Sequence, residues 1–429
     1  MPNDNKENIY TSPFFVNNQI YFCGVPFRLD TYSSKCSHAC TYCYVRAAEL
    51  TSASRKSRGE VTLFADEYSV KRDLTTALDW STPRKSINIE WLRHRVPIHW
   101  GGMSDPFQAC ERKHKVSKKW MEYLSWYKYP VVISTKGVML AEPEYLELLK
   151  SGKYIVGVSL ITDDDKWLKQ LEPGAPLASE RLKMLETLAN NGIPTVVRIQ
   201  PMIPNTIVER EMPRFIERLA KIGVRHIVAE GYKVPVRAKA NVNFIWSMCP
   251  DAQKEYQYND VKVEGFERLM PSWRKWQYTK IAIQACHENG MTYGAADNDL
   301  RDMGDAVCCC GCDNVPGFEN FWRYQSSQAA LIAKKKGFVT FDDMQEYAWG
   351  TKGFSIHNDL IRLQHKADFG NIQATPKYAI DYMWEKGGLM SPESIYSMKR
   401  ATMDGKLVYK RVDPIPTWEA SVVGQTAMF

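Results

Sequence analysis

The sequence predicts an α/β fold in which a parallel sheet is built from repeated strand–helix units. Short β-branched runs recur through the first half of the chain and alternate with amphipathic stretches of helical length. Polar residues follow several of these runs, where the strands end. Alternating strands and helices of this kind indicate βαβ units, and polar groups at the carboxyl ends of parallel strands are typical of an active site.

Six strands are predicted, and the first of them leads directly into a cysteine-rich loop. They span residues 27–32, 96–100, 131–135, 155–159, 195–199 and 226–230. The amphipathic segments between them cover residues 117–127, 142–150, 179–190 and 211–221. Beyond the repeat we expect a helix over 273–288 and a strand over 291–296. Near the end we expect helices over 376–386 and 391–401, then a hairpin around Asp404 and Gly405.

The length of 429 residues exceeds what one compact core usually contains. We therefore expect an N-terminal arm over 1–20 and a strand–helix domain over 21–235. An extension with a second cysteine cluster would follow over 236–312, and a helical region would complete the chain over 313–429.

The composition is that of an ordinary globular protein, with 44% hydrophobic and 24% charged residues. No apolar run approaches the ~18 residues of a membrane span, and the first residues lack the apolar core of a secretion signal. We therefore expect a cytoplasmic protein without a membrane partner. In that reducing compartment its 11 cysteines indicate metal ligands rather than disulfides. A net charge of +7 permits a polyanionic partner without requiring one.

The strongest motif is the loop that carries Cys36, Cys40 and Cys43. Three thiolates on one short loop can bind three irons of a 4Fe–4S cluster. The fourth iron then lacks a protein ligand and is free to bind a reactant, as in catalytic metal sites. A zinc knuckle or three unrelated core cysteines are the alternatives. Because zinc sites usually pair such cysteines with a second pair, the spacing favours an iron–sulfur cluster.

A CxxxCxxC motif followed by an aromatic residue resembles the signature of the radical S-adenosylmethionine (radical SAM) superfamily. Residues 24–235 resemble its partial (β/α)6 TIM barrel, to which the remaining chain would add a mainly helical C-terminal extension. Four further pieces are similar to the spore photoproduct lyase group, namely residues 101–107, 133–136, 171–176 and 199–204. The resemblance implies that SAM chelates the open iron and that an electron breaks its S–C5′ bond. The product is a 5′-deoxyadenosyl radical, and flavodoxin or ferredoxin would be the reductant.

The same resemblance implies a SAM pocket at the strand ends. Glycines 101 and 102 would let the backbone approach the methionyl moiety, since they lack Cβ atoms. Asp105 would face the SAM amine, and Lys136 would pair with its carboxylate. The implied SAM-binding residues are Tyr42, Tyr44, Gly101, Gly102, Ser104, Asp105, Lys136, Ser159 and Arg198.

One position departs from the pattern of the group. Spore photoproduct lyase has a hydrogen-donating cysteine where this sequence has Gly102, and the nearest cysteine here is Cys110. The dimer-splitting reaction of that lyase is therefore in question for this chain, whereas the radical-generating half of the motif is intact.

A second cysteine cluster occupies residues 308–312, with four cysteines in five residues. Disulfides between such neighbours are strained, so a metal is the better explanation. Because adjacent side chains point apart, we expect Cys308, Cys310 and Cys312 as ligands, with Cys286 or another group as the fourth. Several radical SAM families carry an auxiliary iron–sulfur cluster after the barrel, and structural zinc is the alternative. Four acids that precede the cluster, between 297 and 305, are expected to be solvated.

The leading functional hypothesis is radical modification or repair of a nucleic acid base, with a nucleic acid or its nucleotide as the partner. It depends on the subgroup resemblance and on the basic residues interleaved with aromatics after residue 313. One alternative is a radical SAM enzyme acting on a small metabolite or a peptide. Another is a non-catalytic, metal-stabilised nucleic-acid-binding protein.

Overall fold

The computed structural model describes most of the chain. The described ranges are residues 9–10, 13–16, 22–33, 36–45, 63–83, 87–236, 238–258, 262–264, 267–347, 361–362, 373–374, 381–382, 384–388 and 391–412. Most of the expected helix over 376–386 lies outside these ranges.

The strands follow one another along the whole described chain. They are β1 (Ile9–Tyr10), β2 (Phe14–Val16), β3 (Phe27–Leu29), β4 (Tyr32–Ser33), β5 (Leu63–Ala65), β6 (Ile98–Trp100), β7 (Pro130–Thr135), β8 (Lys153–Ser159), β9 (Thr195–Met202), β10 (His226–Gly231), β11 (Val234–Pro235), β12 (Lys262–Glu264), β13 (Glu267–Leu269), β14 (Thr292–Ala295), β15 (Phe338–Thr340), β16 (Ile361–Arg362), β17 (Gln373–Ala374), β18 (Met398–Met403) and β19 (Lys406–Arg411).

An eight-stranded sheet organises the molecule, in the order β14-β10-β9-β8-β7-β6-β3-β2. Every pair in it is parallel except β2 with β3. All six strands of the predicted repeat are present, and the expected strand over 291–296 becomes β14 at one edge. The sequence prediction of an α/β fold with a parallel sheet is confirmed. The strand β2 is an addition, because it comes from the segment expected to be an arm.

Helices connect the parallel strands, as βαβ units require. They are Ser69–Leu78, Ile87–Arg93, Glu111–His114, Val116–Trp126, Pro143–Ser151, Asp165–Leu171, Ala178–Asn190, Ile207–Arg210, Met212–Ile222, Lys239–Met248, Pro250–Lys254, Ser272–Glu288, Ser326–Lys336 and Phe341–Gln345. The four amphipathic segments of the repeat and the helix over 273–288 lie within about a residue of their predicted bounds.

The two faces of the sheet have different coverings. Successive side chains of a strand point to opposite faces. Val131 and Ile133 of β7 join the large core beneath the helices, whereas Val132 lies on the other face. That second face, which we call the inner face, is packed against Phe318, Phe321 and the second cysteine cluster. The segment that follows β14 therefore fills the inner face of the sheet, as side chains fill a barrel interior.

The C-terminal region combines helices with strands. After helix Ser326–Lys336, strands β15, β19 and β18 form an antiparallel sheet. The predicted hairpin at Asp404 and Gly405 is confirmed, because these residues join β18 to β19. The predicted helix over 391–401 is wrong. Its second half is β18, where Arg400 pairs with Tyr409 and Met398 with Arg411.

Within the described residues, no helix combines the length and apolar character that crossing a membrane requires.

Candidate functional site

The loop that carries Cys36, Cys40 and Cys43 follows β3 and β4 and is closed by two tight turns. Ala39 N donates to Cys36 O, and Cys43 N donates to Cys40 O, both at 3.3 Å. All three thiols are free, and Cys40 is buried. The three sulfur atoms interact electrostatically with one another, so the loop gathers them at one place.

His38 and Asp105 connect this loop to the strand ends. His38 Nε2 lies 2.9 Å from Asp105 Oδ2, and both side chains are buried. The same carboxylate accepts hydrogen bonds from Lys136 N at 2.6 Å and from Thr135 Oγ1 and Phe107 N at 2.7 and 2.8 Å. Burial alone would raise the pKa of Asp105, but His38 and the backbone donors lower it to about 2. Asp105 therefore positions the cysteine loop against β7 and is already surrounded by donors.

Glu172 is the second carboxylate that fastens the loop. It is buried and accepts hydrogen bonds from Tyr42 Oη and, at 2.5 Å, from Arg181 Nη2. Lys136 Nζ lies 3.8 Å from Glu172 Oε1 and 5.6 Å from the ring centroid of Tyr42. A buried carboxylate is stable when cations and donors of this kind surround it. The tyrosine next to the last cysteine is therefore held through an acid about 130 residues away.

The backbone around Glu172 packs directly on the cysteine loop. Thr41 N donates to Leu171 O at 2.9 Å, and Gly174 N donates to His38 O at 3.0 Å. A Cβ atom at Gly174 would clash with the carbonyl of Ser37. The glycine in the sequence Glu-Pro-Gly-Ala-Pro is therefore needed because two backbones meet there.

The predicted glycine pair has two different roles. Gly101 has φ +97°, and a Cβ atom there would clash with Ser134 O. A Cβ atom at Gly102 would meet Arg28 Nη1 at an ordinary 3.4 Å, so the protein itself does not exclude a side chain there. Tyr44 Oη donates to Gly102 O, which brings two predicted pocket residues together. Ser104 Oγ donates to the carbonyl of Tyr32 and is buried.

Burial in the first loop favours the protonated thiols of Cys36 and Cys40. Burial and the nearby Asp105 carboxylate raise the pKa of Cys36 to about 11. Burial and Glu172 also raise the pKa of Cys40, and Lys136 opposes this only in part. Metal binding releases thiol protons, so it would stabilise the thiolate form here. Three clustered thiols are the donor set that a 4Fe–4S cluster with an open iron needs.

The described side chains do not yet converge on a metal position. Among them, no three His, Cys, Asp or Glu groups are arranged as metal ligands, at either cysteine cluster. A bound cluster would therefore require the cysteine side chains to turn toward a common point.

Ser159, Arg198 and Glu230 lie on the inner face at neighbouring strands. Ser159 is paired with Arg198 in the sheet register, and the Ser159 carbonyl accepts Arg181 Nη1 at 2.9 Å. The nearest acceptor of Arg198 Nη1 is Cys310 Sγ at 3.6 Å. Glu230 is paired with Lys233 at 2.6 Å. The predicted SAM-binding arginine therefore lies between the strand ends and the second cysteine cluster.

The second cysteine cluster is buried on the inner face. Cys308, Cys310 and Cys312 belong to one apolar group with Val25 and Phe318. Two hydrogen bonds hold the backbone of this cluster in place. His226 Nε2 donates to Cys309 O at 2.8 Å, and Cys308 N donates to Asp313 Oδ2 at 2.9 Å.

Cys286, named above as a possible fourth ligand, lies elsewhere. It is on helix Ser272–Glu288 and belongs to the core on the opposite face. Burial and nearby Asp305 raise its pKa to about 12. Because the sheet separates the two faces, Cys286 is not placed to complete the second cluster.

Of the four acids before the second cluster, Asp305 is exposed as expected, whereas the other three are buried or half-buried. Asp297 and Asp299 lie 3.5 and 2.5 Å from Lys275 Nζ, and Asp297 also accepts Tyr278 Oη at 2.8 Å. Asp302 is buried and accepts Ser397 Oγ, and Asp305 lies 3.0 Å from His287. Each carboxylate has an internal partner, so these acids stabilise the extension.

The sequence reasoning missed His38 and Glu172. Both stand inside motifs that were recognised, His38 between two motif cysteines and Glu172 in the Glu-Pro-Gly-Ala-Pro piece. Their presence in these motifs was the available signal. Their partners, Asp105 and Tyr42, lie 67 and 130 residues away along the chain.

Part of this chain is similar in sequence to a known family and to several known proteins. Residues 31–219 match the family model of the Radical SAM superfamily. An uncharacterised protein of Mycobacterium tuberculosis is 24% identical over 265 residues, which cover 60% of this chain and 74% of that protein. The Radical SAM Nalpha-GlyT isomerase of Pseudomonas phage M6 is 23% identical over 203 residues, covering 47% of this chain and 38% of that protein.

Among solved structures, a spore photoproduct lyase variant with bound AdoMet and dinucleoside spore photoproduct is similar at a TM-score of 0.44. It has 12% identity, and the match covers 64% of this chain and 76% of that structure. The family model spans the cysteine loop, the Asp105 and Glu172 contacts and strands β6 to β9. Residues 31–219 are therefore a Radical SAM domain, and this domain supports an enzyme.

Proposed function

We propose that this enzyme binds a 4Fe–4S cluster through Cys36, Cys40 and Cys43 and uses SAM to modify or repair a nucleic acid base. When bound, the cluster supplies the electron that cleaves SAM to a 5′-deoxyadenosyl radical. The observation that carries this proposal is the cysteine loop, fastened to the end of β7 by Asp105 and to the helix region after β8 by Glu172. A non-catalytic, metal-stabilised nucleic-acid-binding protein is the weaker alternative, because residues 31–219 match the Radical SAM family model.

The residues of this chain would bind and orient SAM. The Gly101 and Gly102 backbone would lie against the methionyl group, and Tyr44, which is 52% exposed, would border the adenine. Lys136 would attract the SAM carboxylate, and Arg198 and Ser159 would bind from the inner face. Asp105 and Tyr42 would position the loop, because both already have internal partners. Ser104, tied to the Tyr32 carbonyl, would have the same positioning role.

The nucleic acid substrate is supported by charge. The chain carries a net charge of +7, and Arg198 and Arg301 lie near the Glu230 carboxylate on its inner face. Phosphate groups are attracted to such basic surfaces. The similarity to a radical SAM isomerase supports rearrangement as one reaction type. The competing proposal is a small metabolite or a peptide as substrate.

The experiment that separates these substrates measures binding and turnover together. Gel shifts at two stated salt concentrations would compare single- and double-stranded DNA and RNA, and formation of 5′-deoxyadenosine would be followed with each. Salt-dependent binding that stimulates SAM cleavage supports the nucleic acid substrate. If no nucleic acid binds and none stimulates SAM cleavage, while SAM is still cleaved, the substrate is a small metabolite or a peptide.

We do not expect efficient splitting of spore photoproduct. Glycine stands at position 102, so the hydrogen donor of the lyase group is missing there. The substrate radical would instead regain hydrogen from 5′-deoxyadenosine or be quenched through the second metal centre. The test supplies spore-photoproduct DNA and SAM and follows thymine recovery. Turnover at the rate of a true lyase, or dependence on Cys110, would contradict this expectation.

We propose domain boundaries after residues 20, 235 and 312. We also propose a second metal centre, iron–sulfur or zinc, at Cys308, Cys310 and Cys312. Its support is the burial of these thiols together on the inner face. Metal analysis of a variant lacking the four cysteines of loop 308–312 tests it. Iron and sulfide that fall without vanishing indicate a second iron–sulfur cluster, and loss of one equivalent of zinc indicates structural zinc.

A further inference from the structure

Three half-buried arginine side chains on the inner face have cysteine sulfurs as neighbours where carboxylates would be usual. Arg28 Nη2 donates to Cys23 Sγ at 3.4 Å, and Arg198 Nη1 donates to Cys310 Sγ at 3.6 Å. Arg301 interacts electrostatically with the thiols of Cys309 and Cys23. Within the described part of the chain, the Nε atoms of Arg28 and Arg301 are buried without a hydrogen-bond partner.

This arrangement leaves positive charge uncompensated. A buried guanidinium is costly unless an anion accepts its donors. The nearby carboxylate, Glu230, is already engaged by Lys233 at 2.6 Å and by Gln200 Nε2 at 3.1 Å. A neutral thiol is a weak acceptor, whereas a metal-bound thiolate is an anion. The arginines therefore fit a site in which the adjacent sulfurs are thiolates.

The segment around Cys23 packs on the second cysteine cluster. A Cβ atom at Gly24 would lie 3.1 Å from Cys308 Sγ, and Gly24 O accepts Trp322 N at 2.8 Å. Val25 belongs to the same buried apolar group as Cys308, Cys310 and Cys312. Cys23 is thus joined to this cluster by backbone packing and by its shared neighbour Arg301.

We propose that Cys23 supplies the fourth sulfur ligand of the second metal centre, together with cysteines of loop 308–312. In this site Arg28, Arg198 and Arg301 compensate the negative charge of the thiolate-bound metal. The inference rests on the second metal centre proposed above and replaces Cys286 as the fourth ligand. The ligand is a thiophilic metal, either an iron–sulfur cluster or zinc.

The test compares Cys23→Ala with Cys286→Ala in the full-length protein, reconstituted anaerobically. Iron, sulfide and zinc per chain are measured, and the electron paramagnetic resonance spectrum of the reduced protein is recorded without SAM. We expect Cys23→Ala to lose the metal that is also lost when all four cysteines of loop 308–312 are removed. Cys286→Ala should keep the wild-type content. Wild-type metal content and spectrum in Cys23→Ala would overturn the proposal.

Two further variants keep the outcome decisive. Cys23→Ser preserves size, so loss of metal with unchanged circular dichroism shows that ligation rather than folding is affected. Arg301→Gln should keep an iron–sulfur centre but lower its midpoint potential, because a positive charge is removed; a zinc centre would bind its metal more weakly.

If removal of all four cysteines of loop 308–312 changes no metal, the second centre itself is absent. If that removal lowers the metal and Cys23→Ala does not, the assignment of Cys23 alone fails.

Discussion

The two cysteine clusters of this protein lie in opposite electrostatic surroundings. The first, at Cys36, Cys40 and Cys43, is fastened by two carboxylates. Asp105 lies against the end of β7, and Glu172 follows helix Asp165–Leu171. The second, in loop 308–312, is buried on the inner face beside Arg198 and Arg301.

This difference indicates which charges each site can accept. Burial raises the pKa of Cys36 and Cys40, and the Asp105 and Glu172 carboxylates add to the rise. Such carboxylates favour positive groups, such as the sulfonium and ammonium of SAM. Arginines beside the second loop favour a negatively charged metal–sulfur group. The first site is therefore suited to binding a cationic reactant, and the second to retaining an anionic centre away from it.

The largest expected effect is the loss of SAM cleavage when a ligand of the first cysteine cluster, but not of the second, is removed. Cys40→Ala should reduce 5′-deoxyadenosine formation to background, because it removes a ligand of the cluster that delivers the electron. The metal proposed for loop 308–312 should remain. Chromatographic assay of 5′-deoxyadenosine after anaerobic reduction, with metal analysis, checks both. Wild-type cleavage in the reconstituted variant would refute the role of this loop.

Glu172→Gln tests the support of the first site. The change keeps the size of the side chain but leaves Arg181 without its buried anion, at 2.5 Å in the native structure. Breaking such a pair costs about 3–5 kcal/mol of unfolding free energy. Urea unfolding followed by circular dichroism measures it. The control is Glu144→Gln, whose exposed pairs with Lys115 and Lys118 should contribute little. Equal effects of the two changes would contradict a supporting role for Glu172.

Gly174→Ala tests whether close backbone packing, independently of charge, holds the cysteine loop in place. Its new Cβ would clash with the Ser37 carbonyl and push the cysteine loop away. Overpacking against backbone costs about 3 kcal/mol, and iron in the first cluster should fall with it. Gly102→Ala is the matched control, since its Cβ has room at 3.4 Å from Arg28. A Gly174→Ala protein with unchanged melting temperature and iron content would show that the two loops need not touch.

The sequence predicted the repeat well because local periodicity determines it. Strands such as Thr195–Met202 and helices such as Ala178–Asn190 differ from their predicted bounds by a few residues at most. The helix predicted over 391–401 failed because β18 is fixed by pairing with β19, a contact that periodicity does not reveal. Glu172 was missed for a related reason. Its role comes from Tyr42, and no local pattern links residues so far apart.

The smallest expected effect concerns pH and Asp105. The ordinary pKa of this carboxyl is 3.8, and its value in the folded chain is about 2. Because the folded value is lower, its contribution of about 2 kcal/mol is fully present above about pH 4 and is lost as pH falls toward 2. Asp105→Asn should therefore lower the unfolding free energy of the metal-free chain near neutral pH, and the difference from wild type should shrink in acid.

The control for this measurement is Asp342→Asn, whose side chain is 81% exposed. Its unfolding free energy should follow the wild-type curve at every pH. If the deficit of Asp105→Asn stayed constant from neutral pH to about pH 2, the carboxylate would not be the stabilising form. The first cluster would then owe its position to backbone packing at Gly174, and the electrostatic contrast between the two cysteine sites would be weaker than the geometry indicates.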